Sequence, residues 1–318
     1  MENKIMPQLR ILVTDFCDSK CMYCRPSGEG NLQCSGNKFL TLDIAKMAAK
    51  VYKDSGGDEI KISGGDPVYW PHLVDFVSYL KKELSFEKVE VITRSTRVEM
   101  IVDKLVSAGL DVLNFSLDTL NKERYEYITQ KGDFVSFLNT IALCSQKIFC
   151  KINAVIMQEI NADEWRSLIA FCEKNEIKQL KLLDYIDDIS SNLSEESFRQ
   201  KYFFPFESIC AELREIYGDE KIIYQGGLGH PMNSFVTSRG LEIICKNSKN
   251  GAWYSDECQF CSNYPCHDAL MAVRVTTANS FQLCLLNSDK HWYFDEKNME
   301  EQFRRILKIY QNAYFIGE

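Results

Sequence analysis

Residues 9–183 alternate between short apolar runs and longer segments with apolar residues at helical spacing. The short runs are typical of buried strands and the longer segments of amphipathic helices. Strands joined through a helix pair in parallel, by right-handed crossovers. The number of strand–helix units favours an α/β fold built as an open, partial (β/α)6 barrel of the TIM type. The six predicted strands are RILVT (10–14), EIKIS (59–63), VEVIT (89–93), DVLNFS (111–116), KINAVI (151–156) and QLKLLDY (179–185).

Helix boundaries can be predicted from a few residue types. Thr41 is a suitable N-cap for the segment TLDIAKMAAKVYKDSGG, and Gly56 is a suitable C-terminal stop. Gly109 ends the segment RVEMIVDKLVSAG in the same way. These signals place helices between the predicted strands.

The pattern changes after residue 187. An acidic polar stretch is followed by one helical segment, PFESICAELREIYG, and then by a Gly-rich and Cys-rich region with few clear helices. We therefore expect the partial barrel to occupy residues 1–200 and a C-terminal extension to occupy residues 201–318.

Composition excludes several functional classes. A formal net charge of −8 over 318 residues argues against broad electrostatic binding to nucleic acid. No apolar run has the roughly 18–20 residues of a membrane span, and the first residues do not resemble a signal peptide. We expect a cytoplasmic protein, in which the 13 cysteines stay reduced unless they bind metal or do redox chemistry.

Three cysteines follow the first predicted strand in the spacing C-x3-C-x2-C: Cys17, Cys21 and Cys24. In α/β barrels the chemistry lies at the carboxyl ends of the strands, which is where this segment falls. Three thiolates can hold three corners of a [4Fe–4S] cluster and leave one iron open. A structural zinc site needs four ligands, and no fourth Cys or His lies nearby. The pattern therefore favours a cluster.

This segment, with Tyr23 before the last cysteine, resembles the signature of the radical SAM superfamily. The resemblance implies that S-adenosylmethionine (SAM) chelates the open iron through its amino and carboxylate groups. It also implies that an electron from the cluster cleaves SAM, and that the resulting 5′-deoxyadenosyl radical removes a hydrogen atom from the substrate. The protein positions the cofactor and excludes side reactions.

Further segments are similar to SAM-binding motifs of that superfamily. SGGDP (63–67) resembles the Gly-Gly-Glu-Pro turn whose backbone binds the SAM amino group, with Asp66 in place of Glu. SLD (116–118) ends the fourth strand, where similar enzymes have a serine near the SAM carboxylate. The implied cofactor-binding residues are Tyr23, Gly64, Gly65, Asp66, Pro67, Thr93, Ser95, Ser116 and Asp118.

The chain also resembles GTP 3′,8-cyclase of molybdenum cofactor biosynthesis over nearly its whole length. LRILVTDFCDSKCMYC (9–24), SLDTLNKERYEYITQKGDF (116–134) and KINAVIMQEINADE (151–164) are similar to segments of that family. The resemblance implies a nucleotide-like substrate that is cyclised or rearranged, and an electron donor such as flavodoxin or ferredoxin. The implied substrate-binding residues are Arg10, Lys151, Asn153 and Arg274.

The cyclase family carries a second [4Fe–4S] cluster on three C-terminal cysteines, and its open iron binds the substrate base. Cys258, Cys261 and Cys284 are similar to that set, and Cys266 adds a fourth thiol. Closely spaced cysteines of this kind also resemble the twitch and SPASM auxiliary clusters of peptide-modifying radical SAM enzymes. Four thiolates would close the cluster and leave it for structure or electron transfer. Cys245 is another candidate ligand, so the sequence leaves the ligand set open.

Other positions depart from the cyclase pattern. Phe16 stands where the family has an arginine, and TRSTR (93–97) stands where it has T-T-N-G. SNYPCHDALMAV (262–273) replaces the Asn-Arg that follows the second C-terminal cysteine. The alternatives to a nucleotide enzyme are therefore a ribosomal-peptide maturase and a non-catalytic iron–sulfur protein. A carrier has no need of SGGDP, which argues against the last of these.

Overall fold

The fold is that of a curled, mostly parallel sheet. The computed structural model describes residues 6–24, 38–185, 201–224, 228, 230–247, 250–261, 264, 266, 270, 272–284 and 291–317. The strands are β1 Gln8–Leu12, β2 Glu59–Ser63, β3 Lys88–Thr93, β4 Val112–Ser116, β5 Phe149–Val155, β6 Gln179–Leu183, β7 Lys221–Ile223, β8 Met232–Val236, β9 Glu242–Lys246, β10 Ala252–Tyr254, β11 Ala272–Val275, β12 Ser280–Gln282, β13 His291–Tyr293 and β14 Tyr314–Ile316.

Twelve of the described strands form one sheet, in the order β13-β12-β11-β1-β2-β3-β4-β5-β6-β9-β8-β7. Strands β1 to β6 are consecutive neighbours and pair in parallel. β11 adds to the outer edge of β1, and β9 adds to the outer edge of β6, both in parallel. The predicted partial barrel of the α/β class is confirmed.

The helices cover the outer face of the parallel strands. They are α1 Leu42–Asp54, α2 Leu73–Lys82, α3 Val102–Ala108, α4 Lys122–Thr129, α5 Phe134–Ser145, α6 Trp165–Lys174, α7 Glu207–Tyr217 and α8 Met299–Gln311. The hydroxyl of Thr41 caps α1 by accepting from the Ile44 N–H, as its position predicts. The rings of Tyr52 in α1 and Phe303 in α8 meet edge to face, with 6.0 Å between centroids. The last helix therefore packs back onto the first.

Side chains alternate between the two faces of each parallel strand. Ile60 and Ile62 of β2 are buried in the core under the helices, whereas Lys61 between them lines the concave face. The same alternation places Lys151 of β5 and Lys181 of β6 on the concave face. Because side chains alternate along a strand, the apolar residues face the core under the helices and the polar residues face the concave side of the sheet.

The C-terminal region contributes more strands than its sequence indicates. The strands β7 to β14 all follow residue 201, and six of them continue the main sheet. β10 and β14 form a separate antiparallel pair. The proposed boundary at residue 200 lies outside the described residues and stays a prediction. Among the described helices, none has the length and hydropathy to cross a membrane.

Candidate functional site

The concave face of the sheet encloses a cavity of about 360 Å³. Its lining comes from eight parallel strands, from β8, and from residues 15–24, which we call the cysteine loop. Most of the residues that the sequence singles out meet here. They are Cys17, Cys21, Tyr23, Cys24, Gly64, Gly65, Asp66, Thr93, Ser116, Asp118, Arg10, Lys151, Asn153 and Arg274. Pro67 and Ser95 are buried nearby but do not line the cavity.

The backbone of the cysteine loop is held against two neighbouring elements. The N–H groups of Lys20 and Met22 donate to carbonyl oxygens at the end of α4, at 3.0 and 2.9 Å. The Asp18 carboxylate bonds to the Lys131 ammonium at 2.6 Å and also accepts from the Tyr69 hydroxyl. These contacts fix the loop so that its three cysteines face the same cavity.

Burial favours the neutral form of two thiols in the cysteine loop. Burial raises the pKa of the Cys17 thiol to about 11 and also raises the pKa of the Cys21 thiol. In the described part of the chain, no three Cys, His, Asp or Glu side chains are arranged to hold one metal ion. A cluster places one iron on each thiolate, and iron binding displaces the thiol protons. The three cysteines therefore fit a cluster better than a single ion.

Two glycines let the turn after β2 pack directly on the cysteine loop. A Cβ atom at Gly64, which has φ +136°, would lie 2.3 Å from the Thr14 carbonyl oxygen, and one at Gly65 would lie 2.1 Å from that of Phe16. The Gly65 N–H donates to Thr14 O at 2.6 Å, and the Asp66 N–H donates to Phe16 O at 2.7 Å. Only glycine permits this approach.

The carboxylate of Asp66 organises the ends of two strands. It accepts from the Thr93 hydroxyl at 2.8 Å, from the Arg94 N–H at 2.8 Å and from the Val68 N–H at 3.1 Å. Burial raises the pKa of Asp66 to about 6, and these hydrogen bonds oppose the shift. Asp66 thus fixes the turn that carries Gly64 and Gly65.

A buried trio adjoins the cysteine loop. The Arg94 guanidinium donates through Nη2 to Asp118 Oδ2 at 2.5 Å and to the Tyr23 hydroxyl oxygen at 2.7 Å. The Tyr23 hydroxyl in turn donates to Asp118 Oδ2 at 2.8 Å. The resemblance implies Tyr23 and Asp118 but not Arg94. Arg94 belongs to TRSTR (93–97), which departs from the cyclase pattern, and that departure could have drawn attention to it.

Basic side chains from adjacent strands form a row on the concave face. Arg274 of β11, Arg10 of β1 and Lys61 of β2 occupy paired positions. Lys181 and Lys246 line the same cavity from β6 and β9. Of these, Lys61, Lys181 and Lys246 were missed from the sequence. Lysines that alternate with buried apolar residues in KIS and LKL could have identified the first two.

Glu90 is the counter-charge for part of this row. Its carboxylate lies 3.4 Å from Lys61 Nζ and 3.3 Å from Lys151 Nζ, and it accepts from the Asn114 amide at 2.7 Å. Burial alone would raise the pKa of Glu90, but the two ammonium groups lower it to about 2. Burial and neighbouring cations lower the pKa values of Lys61 and Lys181. Basic groups therefore exceed acidic ones here, which suits an anionic ligand.

A second cavity, of about 40 Å³, is lined by the C-terminal cysteines Cys258, Cys261, Cys266 and Cys284. Leu270, Leu283 and Trp292 supply apolar walls. The Tyr254 hydroxyl donates to the carbonyl oxygen of Cys266 at 2.6 Å and anchors its backbone. By contrast, Cys245 is fully buried in β9 and does not line this cavity. Cys266 therefore shares this cavity with Cys258, Cys261 and Cys284, whereas Cys245 does not.

Replacing Gly65 by alanine should disrupt the docking of the turn on the cysteine loop. The new Cβ would meet backbone atoms of Phe16, which cannot move independently of the loop. We expect a loss of about 1–3 kcal/mol in unfolding free energy, measured by urea denaturation, and less iron retained per chain. Gly132→Ala is the matched control, since its Cβ would meet nothing within 4 Å. Equal stability of both variants would contradict the packing described.

Glu90→Gln should lower the unfolding free energy by about 3–5 kcal/mol at pH 7, because two buried ammonium groups lose their carboxylate. The pKa of Glu90 is lowered in the folded state, so its contribution is complete above the unfolded value of 4.5. It is lost as the pH falls towards about 2. Chemical denaturation should therefore show the difference between the two proteins shrinking below pH 5. Glu59→Gln, which removes an exposed pair with Lys88, should change stability by less than about 1 kcal/mol.

Comparisons with known proteins agree with this geometry. A probable GTP 3′,8-cyclase of Archaeoglobus fulgidus is 26% identical over 318 residues, covering 99% of this chain and 98% of that protein. A GTP 3′,8-cyclase of Peptoclostridium acidaminophilum is 28% identical over 279 residues, covering 87% of this chain and 79% of that protein.

Among solved structures, native anSMEcpe with bound AdoMet superposes with a TM-score of 0.64 at 14% identity. The match covers 96% of this chain and 81% of that one, and it supports the fold alone. The profile of the Radical SAM superfamily matches residues 11–172, which is just over half of the chain. That segment contains the cysteine loop and the strands β2 to β5. The chain therefore belongs to the radical SAM superfamily of enzymes.

Proposed function

We propose that this radical SAM enzyme binds a nucleoside triphosphate in the cavity of about 360 Å³ and cyclises or rearranges it, with GTP as the first candidate. The observation that carries the proposal is the presence of three cysteines and a set of buried cations in one cavity. The two relatives named as GTP 3′,8-cyclases support the choice of nucleotide.

The residues at one end of the cavity fit the cofactors of the superfamily. Cys17, Cys21 and Cys24 would each hold one iron of a [4Fe–4S] cluster and leave the remaining iron to SAM. The Gly64–Gly65 turn and Ser116 offer backbone and hydroxyl groups for the amino-acid part of SAM. When bound, the reduced cluster and SAM supply the 5′-deoxyadenosyl radical that abstracts hydrogen from the substrate. Flavodoxin or ferredoxin would deliver the electron.

Charge at the other end suits the phosphates. The cavity as a whole is lined by seven Lys and Arg side chains and four carboxylates, although the whole chain has a net charge of −8. A triphosphate would give this basic lining an anionic partner, and its charge-assisted hydrogen bonds would fix the substrate relative to the cysteine loop. Arg10, Lys61 and Arg274 are placed to act together because they share one row.

The walls around these groups control what else can react. The paired strands and the cysteine loop form the walls of the cavity. Limited water access protects a reactive radical from side reactions and strengthens the electrostatic contacts. The protein's part in the reaction is therefore to position the substrate, balance its charge and shield it.

The test is formation of 5′-deoxyadenosine under anaerobic, reducing conditions. The wild-type protein should cleave SAM faster when GTP is added, and Cys21→Ala should form none. Lys181→Gln should raise the GTP concentration for half-maximal activity by about 10-fold, since a charge-assisted hydrogen bond contributes roughly 1.5–3 kcal/mol.

Lys50→Gln, which changes an exposed ion pair on α1, is the matched control and should leave the half-maximal concentration unchanged. Stimulation by a peptide but by no nucleotide would refute the nucleotide proposal and favour a maturase. Absence of SAM cleavage with every substrate class would refute the enzyme reaction itself.

We also propose that Cys258, Cys261, Cys266 and Cys284 hold a second [4Fe–4S] cluster, closed by four thiolates. All four line the second cavity, which shares no lining residue with the first among the described residues. The Ser255 N–H donates to Cys258 Sγ at 3.4 Å, a contact that stabilises a thiolate ligand. A closed cluster would serve structure or electron transfer, not iron coordination of the substrate.

Iron content and electron paramagnetic resonance should separate three ligands from four. A Cys17→Ala/Cys21→Ala protein should retain about four irons, and added cyanide should leave its spectrum unchanged because no iron is open. Adding Cys266→Ala should open one iron, so that cyanide shifts the spectrum. Adding Cys245→Ala instead should have no effect. A cyanide response in the starting protein would contradict the four-thiolate site.

A further inference from the structure

Arg94 has no role in the function proposed so far, although it occupies a prominent position. It follows β3 directly, is 5% exposed and lines the large cavity. Its position belongs to TRSTR, one of the segments that depart from the cyclase pattern. Its guanidinium is held from one side only, by Asp118 and Tyr23 through Nη2.

The other terminal nitrogen, Nη1, is buried and has no hydrogen-bond partner within the described ranges of the chain. A buried donor without a partner is unfavourable, and an Arg fork is suited to bind carboxylate or phosphate. Asp118 does not supply a second contact, because its Oδ1 accepts from the Val155 N–H at 2.9 Å. Asp118 is therefore a positioning residue that fixes the guanidinium while Nη1 stays available to a ligand.

The position of Arg94 in the cavity indicates which anionic group it contacts. Arg94 touches the hydroxyl of Tyr23, which lies between Cys21 and Cys24 in the cysteine loop. The row of basic side chains lies farther from the cysteine loop. Glu90, which pairs with Lys61 of that row, precedes Arg94 by four residues, or about 13 Å of extended chain at 3.3 Å per residue. An anion at Arg94 is therefore at the cluster end of the cavity and not at the phosphate end.

We propose that Arg94 binds the carboxylate of the methionine moiety of SAM. This inference rests on the proposed function, because it requires SAM in the same cavity. Arg94 would add a charge-assisted contact to that carboxylate beside the cysteine loop, where the superfamily resemblance implies only the Ser116 hydroxyl.

The test compares binding of SAM with binding of decarboxylated SAM, by anaerobic equilibrium dialysis against the reconstituted protein. In wild type, SAM should bind more tightly than its decarboxylated analogue. Arg94→Gln should weaken SAM binding by roughly 10- to 100-fold and leave binding of the analogue unchanged. Arg94→Lys keeps the charge but not the fork, and should lie between the two.

Arg97→Gln is the matched control. Arg97 belongs to the same segment, but its guanidinium stacks on the Tyr69 ring at 4.8 Å, outside the cavity lining. This variant should bind both ligands as wild type does. Because Arg94→Gln leaves Asp118 without its cation, Arg94→Gln/Asp118→Asn provides a version that removes both charges, and it should show the same loss of preference for SAM.

Each outcome separates the two proposals. If the variants at Arg94 keep the wild-type ratio of SAM to analogue affinity, the assignment of Arg94 is wrong while the enzyme proposal stands. If they lose GTP affinity instead, Arg94 contacts the nucleotide and the assignment is again wrong. If the wild-type protein with its cluster binds no SAM, the proposed function itself fails.

Discussion

A parallel sheet that is apolar on one face and charged on the other is the constraint on which this structure depends. Parallel strands are usually buried on both faces and correspondingly apolar. Here helices cover only the outer face, and Lys61, Glu90 and Lys151 lie on the other. Those charges can be buried because Glu90 neutralises the ammonium groups of Lys61 and Lys151. The alternation of side chains along these strands thus produces both the apolar core under the helices and the charged lining of the cavity.

The local parts of the fold could be predicted from the sequence. β2 has the bounds expected from EIKIS, and Thr41 caps α1 as its residue type indicates. Both signals involve residues within a few positions of each other. The strands β9 and β11 could not be found in this way. Their partners β6 and β1 lie far away in the chain. Pairing over such separations leaves no local periodic signal.

The residues of the site show the same contrast between local signals and contacts between distant segments. The cysteine spacing and the glycine turn could be recognised because each is a contiguous motif. Lys181 and Lys246 belong to the cavity only because β6 and β9 pair, which the sequence does not reveal. The sequence likewise does not reveal that Cys266 lines the second cavity while Cys245 is buried in β9, since both are simply cysteines of the C-terminal region. Arg94 could be noticed because TRSTR departs from the cyclase pattern. Its contacts with Tyr23 and Asp118 could not be predicted, because they join three separate segments of the chain.

The pairing of β1 with β11 has a consequence for how the chain is made. Arg10 and Arg274 are neighbours across the sheet but 264 positions apart in the chain. At about 5–20 residues per second, a ribosome needs roughly 13 to 50 seconds between them. Throughout that interval one edge of β1 lacks its partner, and unpaired edges of apolar strands promote aggregation. Among the described parallel pairs this one has the largest sequence separation, so the strand that leads into the cysteine loop keeps an unpaired edge for the longest time during synthesis.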